Sequence, residues 1–319
     1  MRNLKCLART LRTPITPGET GRPLITAGRW GCQWSQVPCL RSSSAIGVSD
    51  MSITRQGAFG DTVRKDFDRR RGRIGLEERG LPTPDRSPFE TRSLGHPDFD
   101  YLTIGQRATA PMVAVFLDLT DFTGRTFWDD QEETVDLAHA VLTGFIETVT
   151  AFGGHAIGLR GDGLFAGFSP GPPELAAVMA LSACSLALWG VQQEVNPWLE
   201  QNGIRKVQAR AGVDYGDITF IRSGSRERSE VNPLGFAANF AAKCEKTANS
   251  WEVVVGEGVA NLLPVTNMSE HAKSPKTYTR DYERKTYRFY DYNWLSAVPH
   301  LAEVAELLDG TTTSDIVEV

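Results

Sequence analysis

The chain is poor in the residues that mark several common chemistries. Its five cysteines stand at positions 6, 32, 39, 184 and 244 of 319. They are odd in number and irregular in spacing, which excludes a disulfide framework and a zinc knuckle and makes a reduced, cytoplasmic setting the expected one. The five histidines are too few and too scattered for a Ser/His/Asp or Cys/His arrangement. Basic charge is not in surplus: 34 Lys and Arg face 39 Asp and Glu, for a formal net charge of −5. No general nucleic-acid partner is therefore expected. No run reaches the roughly 18 apolar residues that a membrane span needs. The basic opening MRNLKCLARTLR runs into TPITPGETG instead of an apolar core, so neither a membrane partner nor a secretory signal is expected. Internal repeats are absent.

What is present is length and an apolar content of 41%, enough for one substantial core. Residues 1–58 are expected to be a disordered extension, since residues 1–50 set seven Lys and Arg against two acids amid much Pro, Ser and Gly. Residues 59–109 read as a charged helical arm or linker, either solvated surface or a regulatory or dimer-contacting element. Residues 110–295 are expected to form the main folded unit, and 296–319 a C-terminal helix and tail.

Within 110–295 the reading is regular. A strand is expected at 113–117, a helix at 131–151 stopped by Gly153-Gly154, and a hairpin at 155–168. A long helix follows from Pro172-Pro173 to about 195, ended by Asn196-Pro197. Strands at 207–213 and 217–222 with Gly216 in the turn, a polar loop at 222–232, a helix at 235–247, a strand at 251–256 and a hairpin around 276–293 complete the unit. The order βαββαβ predicts an α+β fold with one sheet covered by helices.

Two segments, AVFLDLTDFTGR and GGHAIGLRGDGLFAGF, each place an aspartate, Asp118 and Asp162, at the end of an apolar strand beside a turn. Carboxylates brought together in this way repel unless cations lie between them. Mg²⁺ or Mn²⁺ bound through carboxylates and substrate phosphates resolves that repulsion. The residues after Asp118 can start a helix whose N–H groups over 120–124, those of Phe122 and Thr123 among them, face a phosphate. A nucleoside triphosphate is the substrate class this predicts.

These residues carry a resemblance. FLDLTDFT resembles the F-x-D-[IL]-x-x-F-T segment of class III nucleotide cyclases, and the second segment resembles their GG-x-x-x-K-x-x-GDG hairpin. RAGVDYG, from Arg210, and GFAANFAAKCE (235–245) are similar to two further motifs of that family, in the family's order. The resemblance implies a ferredoxin-like core, two divalent cations held by Asp118, Asp162 and the Leu119 carbonyl, and Asn239 orienting the ribose. It also implies a transition-state cation at Lys243, where the family has arginine; Arg125 or Arg210 could supply the missing guanidinium. Asp121 stands where the family often has glycine. Asp214 and His155 are read as structural.

The purine-reading pair of the family is missing. Gly158 stands four residues before Asp162 in place of lysine or glutamate, and Asn232 stands seven before Asn239 in place of aspartate. A glycine contacts no base edge, which points to a pyrimidine nucleoside triphosphate. The chain thus resembles the pyrimidine cyclases of bacterial Pycsar anti-phage systems. The expectation is a uridylate cyclase making cyclic UMP for a separately encoded effector, with Asn232 tilting the choice from CTP to UTP. The alternatives are a cytidylate cyclase, a purine cyclase with relocated readout, or an inactive nucleotide-binding sensor. The resemblance further implies a homodimer with composite sites, Asp118 and Asp162 of one chain facing Asn232, Asn239 and Lys243 of the other. Arg280 and Lys285 are candidate phosphate cations on the last hairpin.

Overall fold

The computed structural model describes residues 57–78, 94–264 and 267–309. All but the last two residues of the expected N-terminal extension, and the tail beyond 309, lie outside the described residues.

Strand β1 (Arg107–Thr120) is the axis of the sheet. It pairs antiparallel with β3 (Gly163–Phe168) on one side and, over its whole length, with β4 (Gln208–Gly224) on the other. β2 (Gly154–Arg160) lies outside β3. Beyond β4 come β6 (Val253–Gly256), parallel to it, then β10 (Phe289–Tyr292) and β7 (Met268–Glu270). β5 (Ser229–Leu234) pairs with the far end of β4, and β8 (Lys276–Arg280) with β9 (Glu283–Tyr287) forms a separate hairpin. The two strands expected at 207–213 and 217–222 are one, because β1 offers unbroken pairing partners. Gly216 is no turn: it lies mid-strand, where a Cβ would stand 3.3 Å from that of Ala237. The polar loop expected at 222–232 is largely the β4–β5 hairpin.

Helix α1 (Ala58–Glu78) looks like charged surface, yet Phe59, Val63 and Phe67 recur every fourth residue and are buried. Its first turn is capped by Glu194, which accepts from the N–H groups of Gly57 and Gly60 at 2.6 and 2.7 Å. The solvated-surface reading is corrected accordingly. α2 (Phe122–Trp128) is short; α3 (Gln131–Ala151) opens on Asp130, whose carboxylate accepts from Glu133 N–H at 2.8 Å. α4 (Pro173–Gly190) is buried on nearly every side, as a helix apolar all round must be.

Pro197 does not end this helix as expected. A π turn (Val191–Val195) absorbs the hydrogen bond that proline cannot donate, and α5 (Asn196–Gln201) continues the run. The Asn196 amide then bridges both polar groups of the Val207 backbone at 2.9 Å, fixing the entry to β4. By length and composition Pro173–Gln201 could cross a membrane, contrary to the reading from apolar runs, but 83% of its most apolar window is buried within the chain.

α3 and α4 pack on the face of the sheet that carries Val113, Val115 and Leu117. The other face, with Met112, Ala114, Ile218 and Phe220, receives α6 (Phe236–Glu245) and a segment before β1 in which Phe99 stacks on Phe220 at 4.0 Å. Gly212 sets the height of α6, since a Cβ there would collide with the Glu245 N and the Ala241 carbonyl. Asp214, fully buried on the same face, ties down α7 (Glu257–Ala260) and β9. It accepts from Gly258 N–H at 3.2 Å and from the Tyr287 hydroxyl at 3.1 Å. Burial pushes its carboxyl up from the usual 3.8 to about 7. α8 (Leu301–Asp309) closes the described chain.

Gly212→Ala should destabilise the fold by about 3 kcal/mol or more, because backbone, not a pliant side chain, blocks the added methyl. A urea midpoint equal to wild type would show that α6 has slack. For Asp214, the folded chain holds the proton more tightly than the unfolded one, so this group's contribution is greatest below pH 3.8 and declines as pH rises to about 7. The unfolding free energy of wild type relative to Asp214→Asn should therefore fall with pH across that window, by up to about 1.4 kcal/mol per unit. A difference independent of pH would mean that the carboxyl titrates normally.

Candidate active site

β1 delivers Asp118 to the end of the sheet, with Gly163 of β3 opposite it on one side and Arg210 of β4 on the other. Asp162 hangs beside it in the β2–β3 turn, whose Gly161 adopts φ +65°, a conformation that glycine adopts without strain. Gly163 is required by proximity: a Cβ there would stand 2.9 Å from Asp118 Oδ1.

Arg210 supplies the positive charge. Its Nε and Nη2 donate to Asp118 Oδ2 at 3.2 and 2.9 Å, and its Nη1 donates to the Ala248 carbonyl at 3.3 Å. The same Nη2 lies 2.5 Å from Oε1 of Glu245, the last residue of α6. That oxygen is buried and has no aligned hydrogen bond, so the contact is electrostatic without good donor geometry. Two carboxylates thus contact one guanidinium, whose charge is also felt at Asp162. Burial, then the charge of Asp118, raise the proton affinity of both Asp162 and Glu245, with Arg210 opposing.

These residues fit a small divalent cation. Asp118 Oδ1 makes no hydrogen bond among the described contacts, while the charges of Asp118 and half-buried Asp162 resist one another. Among the described residues no group of three or more His, Cys, Asp or Glu forms a ready cage. The remaining ligands would be carbonyls, water or substrate, as Mg²⁺ and Mn²⁺ prefer. Leu119 follows Asp118 on β1, its side chain buried.

The other expected residues divide. Asn239 and Lys243 lie one turn apart on the outward side of α6, Lys243 Nζ donating to the Asn239 carbonyl at 3.4 Å. They turn away from the buried side that carries Phe240, Ala241 and Cys244. Phe122 is buried and Thr123 exposed at the start of α2. Asp121 before them adopts φ 57° and makes no side-chain cap, and its carboxylate lies close enough to Gly124 that a Cβ there would be 3.2 Å away. The turn offered to a phosphate therefore already holds an anionic group.

Arg125 requires correction. It is 3% exposed, donates to the Arg205 carbonyl at 2.6 Å and pairs with Asp129 at 3.3 Å. That guanidinium fastens α2 to the chain before β4 and is not available to a substrate. Gly158 and Asn232 are also not assembled as a pair. Gly158 is opposite Phe165 and so lies on the α6 face, whereas Asn232 is opposite Ile221, on the reverse face from Phe220 and Val231. Arg280 and Lys285 share the hairpin face whose Tyr278 and Tyr287 rings meet Phe236 at 5.5 and 4.9 Å. Both cations are largely exposed. His155 packs its ring at 4.4 Å from His96 and Asp214 is an anchor, as read from the sequence. Glu245 was missed, although it is the closing glutamate of GFAANFAAKCE.

No family model matches the chain. It is 23% identical over 197 residues to a cytidylate cyclase of Escherichia coli, covering 59% of this chain and 42% of that protein. It is 23% identical over 203 residues to a cytidylate cyclase of Staphylococcus aureus, covering 61% and 47%. The chain thus spans less than half the length of these curated relatives. Among solved structures, the adenylyl cyclase CyaB from P. aeruginosa superposes with a TM-score of 0.51 at 18% identity, over 59% of this chain and 95% of that one. The fold of residues around this carboxylate cluster is the class III nucleotide cyclase catalytic fold.

Proposed function

We propose that the chain is a pyrimidine nucleotide cyclase, joining the ribose 3′-oxygen to the α-phosphorus of a nucleoside triphosphate and releasing pyrophosphate. The observation that carries this reading is the Asp118–Asp162 pair, held at one sheet end by Gly161 and Gly163. Bound Mg²⁺ or Mn²⁺ would supply Lewis acidity at the hydroxyl and neutralise the triphosphate. Asp118, Asp162 and the Leu119 carbonyl would hold the cations, and N–H groups over 120–124 the phosphates. Asn239 would orient the ribose, and Lys243 would stabilise charge as a point cation without arginine's fork.

Because Asn239 and Lys243 point outward from α6, a second copy is the natural owner of the carboxylates they serve. We therefore propose a homodimer with two composite sites. Lys285 or Arg280 would reach a phosphate from the hairpin face beside α6.

Gly158 supports the pyrimidine reading. A Cβ there would meet nothing nearer than Arg160 Nη1 at 3.8 Å, and its φ is not left-handed, so neither packing nor backbone demands glycine. The uracil preference rested on Asn232, which alternation turns away from Gly158. The curated relatives are named cytidylate cyclases, and CTP therefore stands beside UTP as the substrate of this reading. In this reading the product is a second messenger for anti-phage defence, acting through a separately encoded effector.

Incubation of the protein with Mn²⁺ and each of the four triphosphates, with products identified by mass, should give cyclic CMP or cyclic UMP. Cyclic AMP or cyclic GMP as the main product would sink the pyrimidine reading. Asp162→Asn should lower turnover by about 100-fold or more, the scale of several kcal/mol of lost charge stabilisation. Asp118→Ala and Asn239→Ala chains, each inactive, should regain activity when mixed; no recovery would argue against sites shared between copies.

A further inference from the structure

We infer that Arg210 is an exchangeable counter-ion of the site, and that Glu245 is the positioning residue that takes it up when a divalent cation occupies Asp118. This rests on the cyclase reading above. In the cation-free chain Asp118 has both aligned donors of Arg210, Nε at 3.2 Å and Nη2 at 2.9 Å. Glu245 has closeness without alignment: its Oε1 is 2.5 Å from Nη2, yet buried and without a proper donor. In a residue 7% exposed, that one oxygen is an acceptor without an aligned donor, although the Glu245 carboxyl group also lies within side-chain hydrogen-bonding reach of Asp118. A cation arriving at Asp118 repels the guanidinium. Nη1 remains on the Ala248 carbonyl, so a small rotation about that contact passes Nη2 from Asp118 to Glu245. Without Glu245, Arg210 has no second carboxylate, and every incoming cation must compete with it for Asp118.

The test is Mn²⁺ binding to the full chain without nucleotide, followed by calorimetry for wild type, Glu245→Gln, Arg210→Gln and the double variant. Glu245→Gln should weaken Mn²⁺ binding about tenfold. In the Arg210→Gln background, where no counter-ion needs a home, the same substitution should have little effect. An equal loss in both backgrounds would mean that Glu245 acts on the cation directly, and no loss in either would mean that it does not act; both outcomes overturn the exchange. Should Glu245→Gln fail to fold, Glu245→Asp keeps the charge with a shorter reach. It should weaken binding less than tenfold, and only when Arg210 is present; weakening without Arg210, or none with it, overturns the exchange. Failure of wild type to bind Mn²⁺ at all without nucleotide would overturn the exchange but not the cyclase reading, whose cations are also held by substrate phosphates and which the product assay tests.

Discussion

Two carboxylates forced together at the end of one sheet need positive charge, and much of the architecture answers that need. Asp118 lies on β1 and Asp162 in the turn that opens β3, and the pairing of β1 with β3 at Asp118 and Gly163 fixes the backbone spacing between them. Arg210 comes from the strand on the other side of β1, at the register position opposite Asp118. The sheet therefore holds the charge conflict and its first remedy on adjacent strands. The remedy is incomplete, since one guanidinium is divided between Asp118 and Glu245 while Asp162, among the described residues, has no ion pair with it, and the residual negative charge is what a divalent cation would find attractive.

α6 extends this constraint beyond the sheet. Gly212 lets the helix approach until its last residue, Glu245, reaches Arg210. The same short helix shows Asn239 and Lys243 on its outward side. One rigid element thus joins the internal carboxylate cluster to a surface suited to a different site. Its N-terminal end is steadied by the Phe236, Phe240 and Tyr287 rings and, through Tyr287, by buried Asp214. A displacement of Arg210 between its two carboxylates would be felt at the helix terminus.

Much of this was legible in the sequence, for physical reasons that differ by residue. Asp118 and Asp162 were readable because apolar strands followed by turn residues leave few places for a carboxylate to go. The helix at 131–151 was readable from its periodicity and acid-rich start. The break at Pro197 was misread because proline can end a helix or be carried through by a π turn, and the local sequence does not distinguish the two. Gly216 was misread because a glycine in a strand serves close approach as readily as a turn, and only the position of α6 distinguishes the two. Arg125 looked available one turn into the helix, and its burial depends on carbonyls some eighty residues away.

Glu245 shows the reverse limit. It was visible as a motif residue, but a glutamate on an amphipathic helix reads as surface until Gly212 is known to draw that face onto β4. Gly158 and Asn232 illustrate how strand register governs function. Counting from motifs makes them a pair, whereas pairing with Phe165 and Ile221 sends them to opposite faces. On the α6 face the open backbone at Gly158 stands opposite Phe165, which is buried and stacked on Phe116 at 4.6 Å, and no side-chain amide from Asn232 of the same chain shares that surface.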